Sequence, residues 1–235
     1  RVLRRYESFG AEANIDFLGE DVVSWMEAKE YFTQYLQVMK QYGGKKRPFH
    51  VAIKFSALHP FFSPENYKES RQAVGDCFAA FLRVARETNS FIAVDAELHA
   101  RQAIVLDIFS DCIMRPEFRS VDTIKIAIHA YKKDAIATAK RLVALAKERG
   151  TPFWIRLVKG AYLETERALA EQKNWPSPVW DEKSQTDETF DEVLAYLMGN
   201  WGTVYVSPAT HNPANILFAE HCAEEFRIAD DPRFF

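Results

Sequence analysis

The sequence predicts an α/β fold of the (β/α)8 TIM-barrel type, with about six βα units present in the chain. Short runs rich in β-branched and aromatic residues recur six times, and each run is followed by a helix-like pattern. Strict alternation of strands and helices implies right-handed crossovers and a parallel sheet. No G-x-G-x-x-G motif follows an early strand, which disfavours the competing doubly wound nucleotide-binding sheet.

The elements follow one another in a regular order. The predicted strands are residues 14–18, 50–55, 91–95, 123–129, 153–158 and 203–209. The helices predicted after them are residues 21–42, 64–88, 100–113, 134–149, a segment beginning near 162, 186–198 and 213–226. Two loops are enlarged, one through Pro60 and Pro64 and one through Pro176 and Pro178.

Composition excludes several classes of protein. The chain has 235 residues, of which 48% are apolar and 27% charged, as expected for a soluble globular protein. A net charge of -3 provides no electrostatic footprint for nucleic acid. No apolar run approaches the roughly 20 residues of a membrane span. The three cysteines are scattered and indicate neither a disulfide framework nor a zinc cluster, so no metal is expected.

The end of the fifth strand is the most informative stretch. Arg156 interrupts an apolar run, Lys159 ends it, Gly160 follows, and a helix pattern begins near Tyr162. Two cations beside a glycine and a helix N-terminus suit an anionic cofactor, because the backbone can approach a phosphate there. The alternative interpretation is a strand with one buried, carboxylate-paired arginine and a solvated lysine.

Other strands end in polar residues as well. These residues are Lys54, Asp95, Glu97, His129, Arg156, Lys159, Thr210, His211 and Asn212. In a parallel α/β barrel the carboxyl ends of the strands build the active site, so the pattern predicts a site at this edge.

Several segments carry a resemblance to a known family. The segments are Ile53-Lys-Phe-Ser-Ala-Leu-His-Pro60, Val94-Asp-Ala-Glu97, Ile128-His-Ala-Tyr-x-Lys133, Arg156-Leu-Val-Lys-Gly-Ala-Tyr162 followed by Glu166, Pro178-Val179, Lys183, Thr186-Asp187 and Ala209-Thr-His-Asn212, with Leu18-Gly-Glu20 at the first strand end. In this order and spacing they resemble proline dehydrogenases, particularly the proline dehydrogenase part of bacterial bifunctional proline-utilisation enzymes.

The resemblance implies a distorted TIM barrel that binds FAD noncovalently. It implies oxidation of L-proline to Δ1-pyrroline-5-carboxylate by hydride transfer to flavin N5, the first step of proline catabolism to glutamate. It further implies a membrane quinone as electron acceptor, a cytoplasmic protein with peripheral membrane association, and a fused or partner pyrroline-5-carboxylate dehydrogenase.

The resemblance also implies roles for individual residues. The expected catalytic residues are Lys54, Asp95, Arg156 and Tyr162. The expected FAD-binding residues are His129, Arg156, Val158, Lys159, Gly160, Ala161, Tyr162, Thr210, His211 and Asn212. Arg156 is expected beside flavin N5, where a cation stabilises the reduced ring. Lys54 and Asp95 are expected to form an ion pair on the substrate side of the flavin, and no covalent nucleophile is needed.

The sequence departs from the family pattern at two positions and at its end. His129 stands where the family usually has glutamine, and Leu163 stands where bifunctional members usually have tryptophan. The unusual first residues and the end at Phe235 lead us to expect one domain over residues 1–235 that is an excerpt. On this interpretation the last two strands and a final arginine-bearing helix are missing, which leaves proline and hydroxyproline undistinguished as substrates.

Other functions remain open from the residues alone. Asp95, His129 and His211 could serve a metal-dependent hydrolase, although no pair of histidines has i, i+4 spacing. Lys54 or Lys159 could serve a Schiff-base lyase. A non-catalytic binding module is the remaining alternative.

Overall fold

The structure is a computed structural model that describes residues 14–17, 19–44 and 49–234. In these ranges six strands alternate with seven α-helices, as predicted. The strands are β1 (Asn14–Asp16), β2 (Phe49–Ile53), β3 (Ser90–Val94), β4 (Ile124–His129), β5 (Trp154–Val158) and β6 (Tyr205–Ala209). The helices are α1 (Trp25–Tyr42), α2 (Tyr67–Thr88), α3 (His99–Ile113), α4 (Ala135–Arg149), α5 (Leu163–Gln172), α6 (Lys183–Met198) and α7 (Pro213–Glu225).

The chain divides into two compact units. The first unit takes in the described residues up to Asp95 together with Ala100–Lys125. In it β1 pairs with β2 and β2 pairs with β3, both in parallel. Ile53 lies opposite Val94 in the register, so the next residue of each strand leaves the sheet at the same level.

The core of the first unit contains several buried aromatic side chains. Phe55, Phe78 and Phe109 are fully buried. The ring centroid of Phe78 lies 5.3 Å from that of Phe55 and 6.2 Å from that of Phe109. These contacts hold α2 and α3 to the segment that follows β2.

The second unit comprises Ala96–His99 and the described residues from Ile126 onward. Its strand order is β4-β5-β6, and β5 and β6 are parallel, with Arg156 opposite Ser207. Side chains of β5 alternate between half-buried and buried. Because successive strand residues point to opposite faces, Arg156 and Val158 share one face and the buried Ile155 and Leu157 share the other.

Several predicted boundaries were wrong by a few residues. β2 ends at Ile53, not at 55, because a short 3-10 helix (Phe55–Ala57) begins there. Helix α1 begins at Trp25, not at 21, because the hydroxyl of Ser24 caps it by accepting a hydrogen bond from the Glu27 amide at 3.2 Å. Helix α6 begins at Lys183, not at 186, because Glu182 and Gln185 form a capping box.

Other differences are smaller. Helix α2 begins at Tyr67 rather than at 64, and β6 begins at Tyr205 rather than at 203 because a turn with Gly202 precedes it. β1 ends at Asp16. The predicted end of this strand at Leu18 and the predicted start of the domain at residue 1 fall on residues outside the described ranges. None of the helices in the described part of the chain combines the length and hydrophobicity that spanning a bilayer requires.

Candidate active site

In the first unit, the predicted ion pair between Lys54 and Asp95 is present. Lys54 Nζ donates to Asp95 Oδ2 at 3.1 Å, and both side chains are largely buried, with exposed fractions of 12% and 13%. The backbone amide of Asp95 also donates to Ile53 O at 2.9 Å, which fixes the two strand ends side by side. The prediction of an ion pair is therefore confirmed, and its physical cause is the parallel register of β2 and β3.

Asp16, at the end of β1, is a third member that the sequence analysis did not single out. Lys54 Nζ donates to Asp16 Oδ1 at 2.9 Å, so one ammonium links the ends of three neighbouring strands. Burial alone would lower the pKa of Lys54, but its hydrogen bonds and charge interactions with the two aspartates outweigh burial and raise that pKa. The signal for Asp16 was available, because it too is a polar residue at a strand end.

Tyr35 of α1 is fully buried in the same unit. Burial raises the pKa of its hydroxyl, and the negative charges of Asp16 and Asp95 raise it further. Tyr35 therefore remains a neutral phenol next to the charged group formed by Asp16, Lys54 and Asp95.

In the second unit, the end of β5 brings together the cations that the sequence predicted. Arg156 is half-buried on the face it shares with Val158. Its positive charge contributes to the lowered pKa of His129, after burial and Lys132. Lys159 forms an ion pair with Asp187 of α6, and its Nζ lies 5.6 Å from the centroid of the Phe190 ring.

Asp187 is shared by two lysines. Lys183, one turn earlier on α6, pairs with its other carboxylate oxygen but is 75% exposed, whereas Lys159 is only 23% exposed. Partial burial would raise the pKa of Asp187, but the hydrogen bonds from Lys159 and Lys183 outweigh burial and lower it. The alternative of a solvated Lys159 is wrong, because this ammonium is held in place by a carboxylate and a ring.

Gly160 is required by packing within the protein. A β-carbon at this position would lie 2.5 Å from Cγ and Cδ2 of the Tyr131 ring. The glycine therefore allows Tyr131 to pack against the β5 end, and the amide of Tyr131 donates to Lys159 O at 2.7 Å. Gly160 and Ala161 are both exposed.

Tyr162 occupies the N-cap position of α5, where its side chain makes no capping hydrogen bond. The first turn of α5 carries Glu164 and Glu166. These carboxylates already complement the positive end of the helix dipole, which weakens the predicted attraction of this helix N-terminus for an anion.

His129, at the end of β4, is buried with an exposed fraction of 4%. Its ring meets Tyr131 edge-on at 5.0 Å and Tyr162 at 6.0 Å. Burial, and secondarily the positive charges of Lys132 and Arg156, lower the pKa of His129 to about 3. Its buried Nδ1 has no hydrogen-bond partner among the described residues.

The end of β6 places Thr210, His211 and Asn212 directly before α7. The Oδ1 atom of Asn212 caps this helix by accepting a hydrogen bond from the backbone N–H of Ala214 at 3.0 Å. The backbone N–H of Asn212 donates to Thr210 Oγ1 at 3.1 Å. His211 is exposed. The carboxamide NH2 of Asn212 takes no part in the cap, so this residue keeps donors for a ligand.

Lys132 is the other residue that the sequence analysis missed. It follows β4, is only 3% exposed, and its Nζ donates to Glu97 O at 3.3 Å. No simple sequence signal marks it, because lysines are rarely buried. In the described ranges, no cluster of three or more histidine, cysteine, aspartate or glutamate residues has an arrangement that could hold a metal ion.

Comparison with known proteins identifies the family. A profile of the family described as proline dehydrogenase matches residues 1–235. The chain is 29% identical to the bifunctional protein PutA of Salmonella typhimurium over 94% of its length, and 27% identical to proline dehydrogenase 2 of Bacillus subtilis over 97%. It spans 17% and 66%, respectively, of those relatives.

Solved structures agree with these relatives. The crystal structure of proline utilization A (PutA) from Bdellovibrio bacteriovorus, inactivated by N-propargylglycine, superposes with a TM-score of 0.91 at 28% identity. The match covers 97% of this chain and 26% of that one. This agreement confirms the predicted fold class, an α/β fold of TIM-barrel type with six βα units. The chain belongs to the proline dehydrogenase family, a family of flavoenzymes.

Proposed function

We propose that the protein containing this chain oxidises L-proline to Δ1-pyrroline-5-carboxylate with bound FAD. Family membership supports the reaction class, and the cations at the end of β5 are the structural observation that carries the proposal. Arg156 and Lys159 provide two positive charges within four residues, on a strand whose neighbours end in further polar groups. Such an arrangement suits a cofactor that carries a diphosphate and gains negative charge on reduction.

The residues of the second unit fit FAD. The buried Nδ1 of His129, which no described residue satisfies, is the kind of group that a ligand's polar edge would complete. Lys159 would bind the diphosphate, and Val158, Gly160, Ala161 and Tyr162 would line the same side. The polar residues Thr210, His211 and Asn212 would supply further hydrogen bonds.

Each residue then has a defined task. FAD, when bound, would accept the hydride from the proline ring carbon that is bonded to nitrogen and does not carry the carboxylate, and the nitrogen would lose its proton as the C=N bond forms. Arg156 would hold a guanidinium beside the flavin, so the reduced form is favoured electrostatically. Tyr162 would form one wall of the site and help to exclude water.

In the first unit, we assign Lys54 and Asp95 to the binding of proline. Lys54 fixes the rotamer of Asp95 through a hydrogen bond, and Asp16 fixes Lys54 in turn. A carboxylate held in this way can position an amine substrate without reorganisation, which is what hydride transfer requires. The raised pKa of Lys54 keeps it an ammonium, which argues against the Schiff-base alternative.

The electron acceptor and the location are proposed from family membership. We assign a membrane quinone as acceptor, a cytoplasmic protein with peripheral contact to the membrane, and a fused or partner pyrroline-5-carboxylate dehydrogenase. The PutA relatives are named bifunctional, which supports the last assignment.

Steady-state assays test the proposal. The protein is incubated with L-proline and a dye acceptor, and Δ1-pyrroline-5-carboxylate is trapped with o-aminobenzaldehyde. We expect product with L-proline, a large loss in Arg156→Met and Lys54→Met, and no loss in Arg83→Met, since Arg83 forms an exposed ion pair with Glu117. Product from trans-4-hydroxy-L-proline but not from L-proline would reassign the substrate, and no product from either would refute the proposal.

A further inference from the structure

A four-residue segment that follows β3 packs within the second unit. Residues Ala96–His99 belong to that unit, although Asp95 before them and Ala100 after them belong to the first. The segment has no regular secondary structure before His99, which is the first residue of α3. Its backbone groups therefore need hydrogen-bond partners outside a helix or a sheet. Two buried, charged side chains of the second unit provide such partners.

The first of these side chains is Glu166, in the first turn of α5. Its Oε1 accepts a hydrogen bond from the backbone N–H of His99 at 2.5 Å, and only 4% of the residue is exposed. The N–H groups of a first helical turn have no partner within their own helix, so a carboxylate there satisfies a donor and complements the helix dipole. The first turn of α3 has no acidic residue of its own. Glu166 therefore caps α3 from a position 67 residues later in the sequence.

The second side chain is that of Lys132, which follows β4 and is 3% exposed. Its Nζ donates to the carbonyl oxygen of Glu97 at 3.3 Å. Burial lowers the pKa of Lys132 to about 8, and the negative charge of Glu166 is the largest contribution that opposes this change. The two side chains that hold the segment thus have opposite charges, which attract each other strongly where water screens them poorly.

The burial of Glu166 distinguishes it from the other carboxylate of the same helical turn. Glu164 is exposed to solvent. The backbone N–H of Glu166 donates to Tyr162 O at 2.9 Å, so its side chain starts from a fixed point at the beginning of α5. A buried carboxylate is costly unless its hydrogen bonds are made. The bond to His99 provides one of them, although Glu166 has no assigned contact with FAD or proline.

We propose that Glu166 is a positioning residue, which holds residues 96–99 in place and thereby orients Asp95, the residue directly before them. Lys54 holds the Asp95 carboxylate at the other side. A shift of the backbone after Asp95 would turn this carboxylate away from the amine of proline, and small errors of position reduce catalysis strongly. The effect on proline rests on the proposed function, whereas the holding of residues 96–99 does not.

Hydrogen–deuterium exchange of the protein as purified tests whether Glu166 holds the segment. Glu166→Leu removes the acceptor, so exchange in peptides covering residues 96–102 should be faster by roughly tenfold or more. Glu166→Gln keeps an acceptor oxygen and should show a smaller increase. Glu164→Leu is the matched control, because Glu164 is exposed in the same turn. Unchanged exchange in Glu166→Leu, or an equal increase in Glu164→Leu, would overturn the proposal.

Glu166→Leu leaves Lys132 buried without this counter-charge, so the variant can fail to fold. The double variant Glu166→Leu, Lys132→Met replaces both buried charges by apolar side chains, a change that proteins tolerate better than the loss of one partner. Exchange in α4 reports whether the unit remains folded. With α4 still protected, residues 96–102 should exchange faster, and protection equal to that of the unmodified protein counts against the proposal.

Single-turnover kinetics distinguish an effect through Asp95 from a general loss of stability. The rate of anaerobic flavin bleaching is measured against L-proline concentration for Glu166→Leu, Asp95→Asn and the double variant. We expect Glu166→Leu to raise the apparent Kd for L-proline roughly fivefold, and to change it little once Asp95 is already asparagine. Equal effects with and without Asp95→Asn would overturn the proposal. Faster exchange without bleaching in any of these proteins, the unmodified one included, would instead refute the proposed function and leave the holding of residues 96–99 supported.

Discussion

The ammonium of Lys54 donates a hydrogen bond to Asp95 Oδ2 at 3.1 Å, across the ends of the paired strands β2 and β3. The same ammonium also donates to Asp16. Removing Lys54 therefore breaks two hydrogen bonds, whereas removing the Asp95 charge breaks one ion pair and leaves the other. We expect Lys54→Met to destabilise the protein by about 3 kcal/mol, because two carboxylates lose the cation that they share. Asp95→Asn should cost about 1 kcal/mol, since Asp16 still pairs with Lys54.

Denaturant unfolding of these variants and of the double variant Lys54→Met, Asp95→Asn measures the coupling. Arg83→Met is the control, because its partner Glu117 forms an exposed pair that should contribute less than about 1 kcal/mol. If Asp95→Asn is as costly as Lys54→Met, Asp16 is not an effective second partner. A double variant that retains full turnover would show that the pair is structural only.

A second prediction concerns the two lysines that share Asp187. Lys159→Met should weaken FAD binding roughly tenfold or more, since a charge-assisted hydrogen bond to a phosphate is lost. Lys183→Met should leave the affinity unchanged, because Lys183 is the exposed partner on α6. Flavin fluorescence titration measures both. Equal losses in the two variants would mean that the pairing with Asp187, rather than contact of Lys159 with FAD, determines affinity.

A third prediction compares variants of Arg156 that remove its charge or only its guanidinium shape. Arg156→Met should lower both the affinity for FAD and the flavin midpoint potential, because the cation that favours the reduced ring is gone. Arg156→Lys keeps the positive charge but not the planar guanidinium, so we expect it to change the flavin midpoint potential less than Arg156→Met does. Spectroelectrochemical titration decides this, and identical potentials in the three proteins would remove Arg156 from its assigned role.

Gly160 makes a prediction about packing. Gly160→Ala should destabilise the protein by about 1–3 kcal/mol, because the new β-carbon would lie 2.5 Å from the Tyr131 ring. In Gly75→Ala, on α2, the nearest atoms are 3.8 Å away, so alanine should be neutral or stabilising by about 0.5–1 kcal/mol. Thermal unfolding of both variants tests the contrast, and a neutral Gly160→Ala would contradict the packing described here.

The lowered pKa of His129 predicts how stability depends on pH. The folded-state pKa is about 3 and the ordinary value is about 6.5, so between these values the unfolded chain binds more protons than the folded protein. Stability attributable to His129 is therefore present above about pH 6.5 and is lost as pH falls toward about 3. His129→Gln should flatten this part of the stability profile, while His221→Gln, at an exposed position, should not.

Denaturant midpoints from about pH 7 to about pH 4 measure this slope. Carboxylates contribute to it in every variant, so the difference from the unmodified protein is the informative quantity. Parallel profiles for the unmodified protein and His129→Gln would show that His129 titrates normally.

The sequence predicted what depends on local pattern and strand register. The alternation of strands and helices, the polar strand ends and the pair of Lys54 with Asp95 all follow from periodicity and from parallel strands that end together. One helix start was missed because an unusual side chain provides the cap, and the start of α1 was missed although Ser24, a usual cap residue, marks it. Glu182 caps α6, although serine, threonine, aspartate and asparagine are the residues that usually signal a start.

The contacts that were missed depend on three-dimensional packing. Asp187 meets Lys159 only because α6 presents that face to the end of β5, and a sequence does not specify this rotation. The burial of Lys132 depends on the nearby charges of Glu97 and Glu166. Glu97 lies 35 residues earlier in the sequence, and Glu166 lies on α5. The need for Gly160 depends on a ring from another loop.

The most direct test of the central claim is an anaerobic mixing experiment with the flavin-loaded protein and L-proline. The account predicts that the absorbance of oxidised flavin is bleached in proportion to the Δ1-pyrroline-5-carboxylate formed, and that Arg156→Met slows this bleaching. A protein that binds flavin but whose flavin stays oxidised in the presence of L-proline would contradict the account.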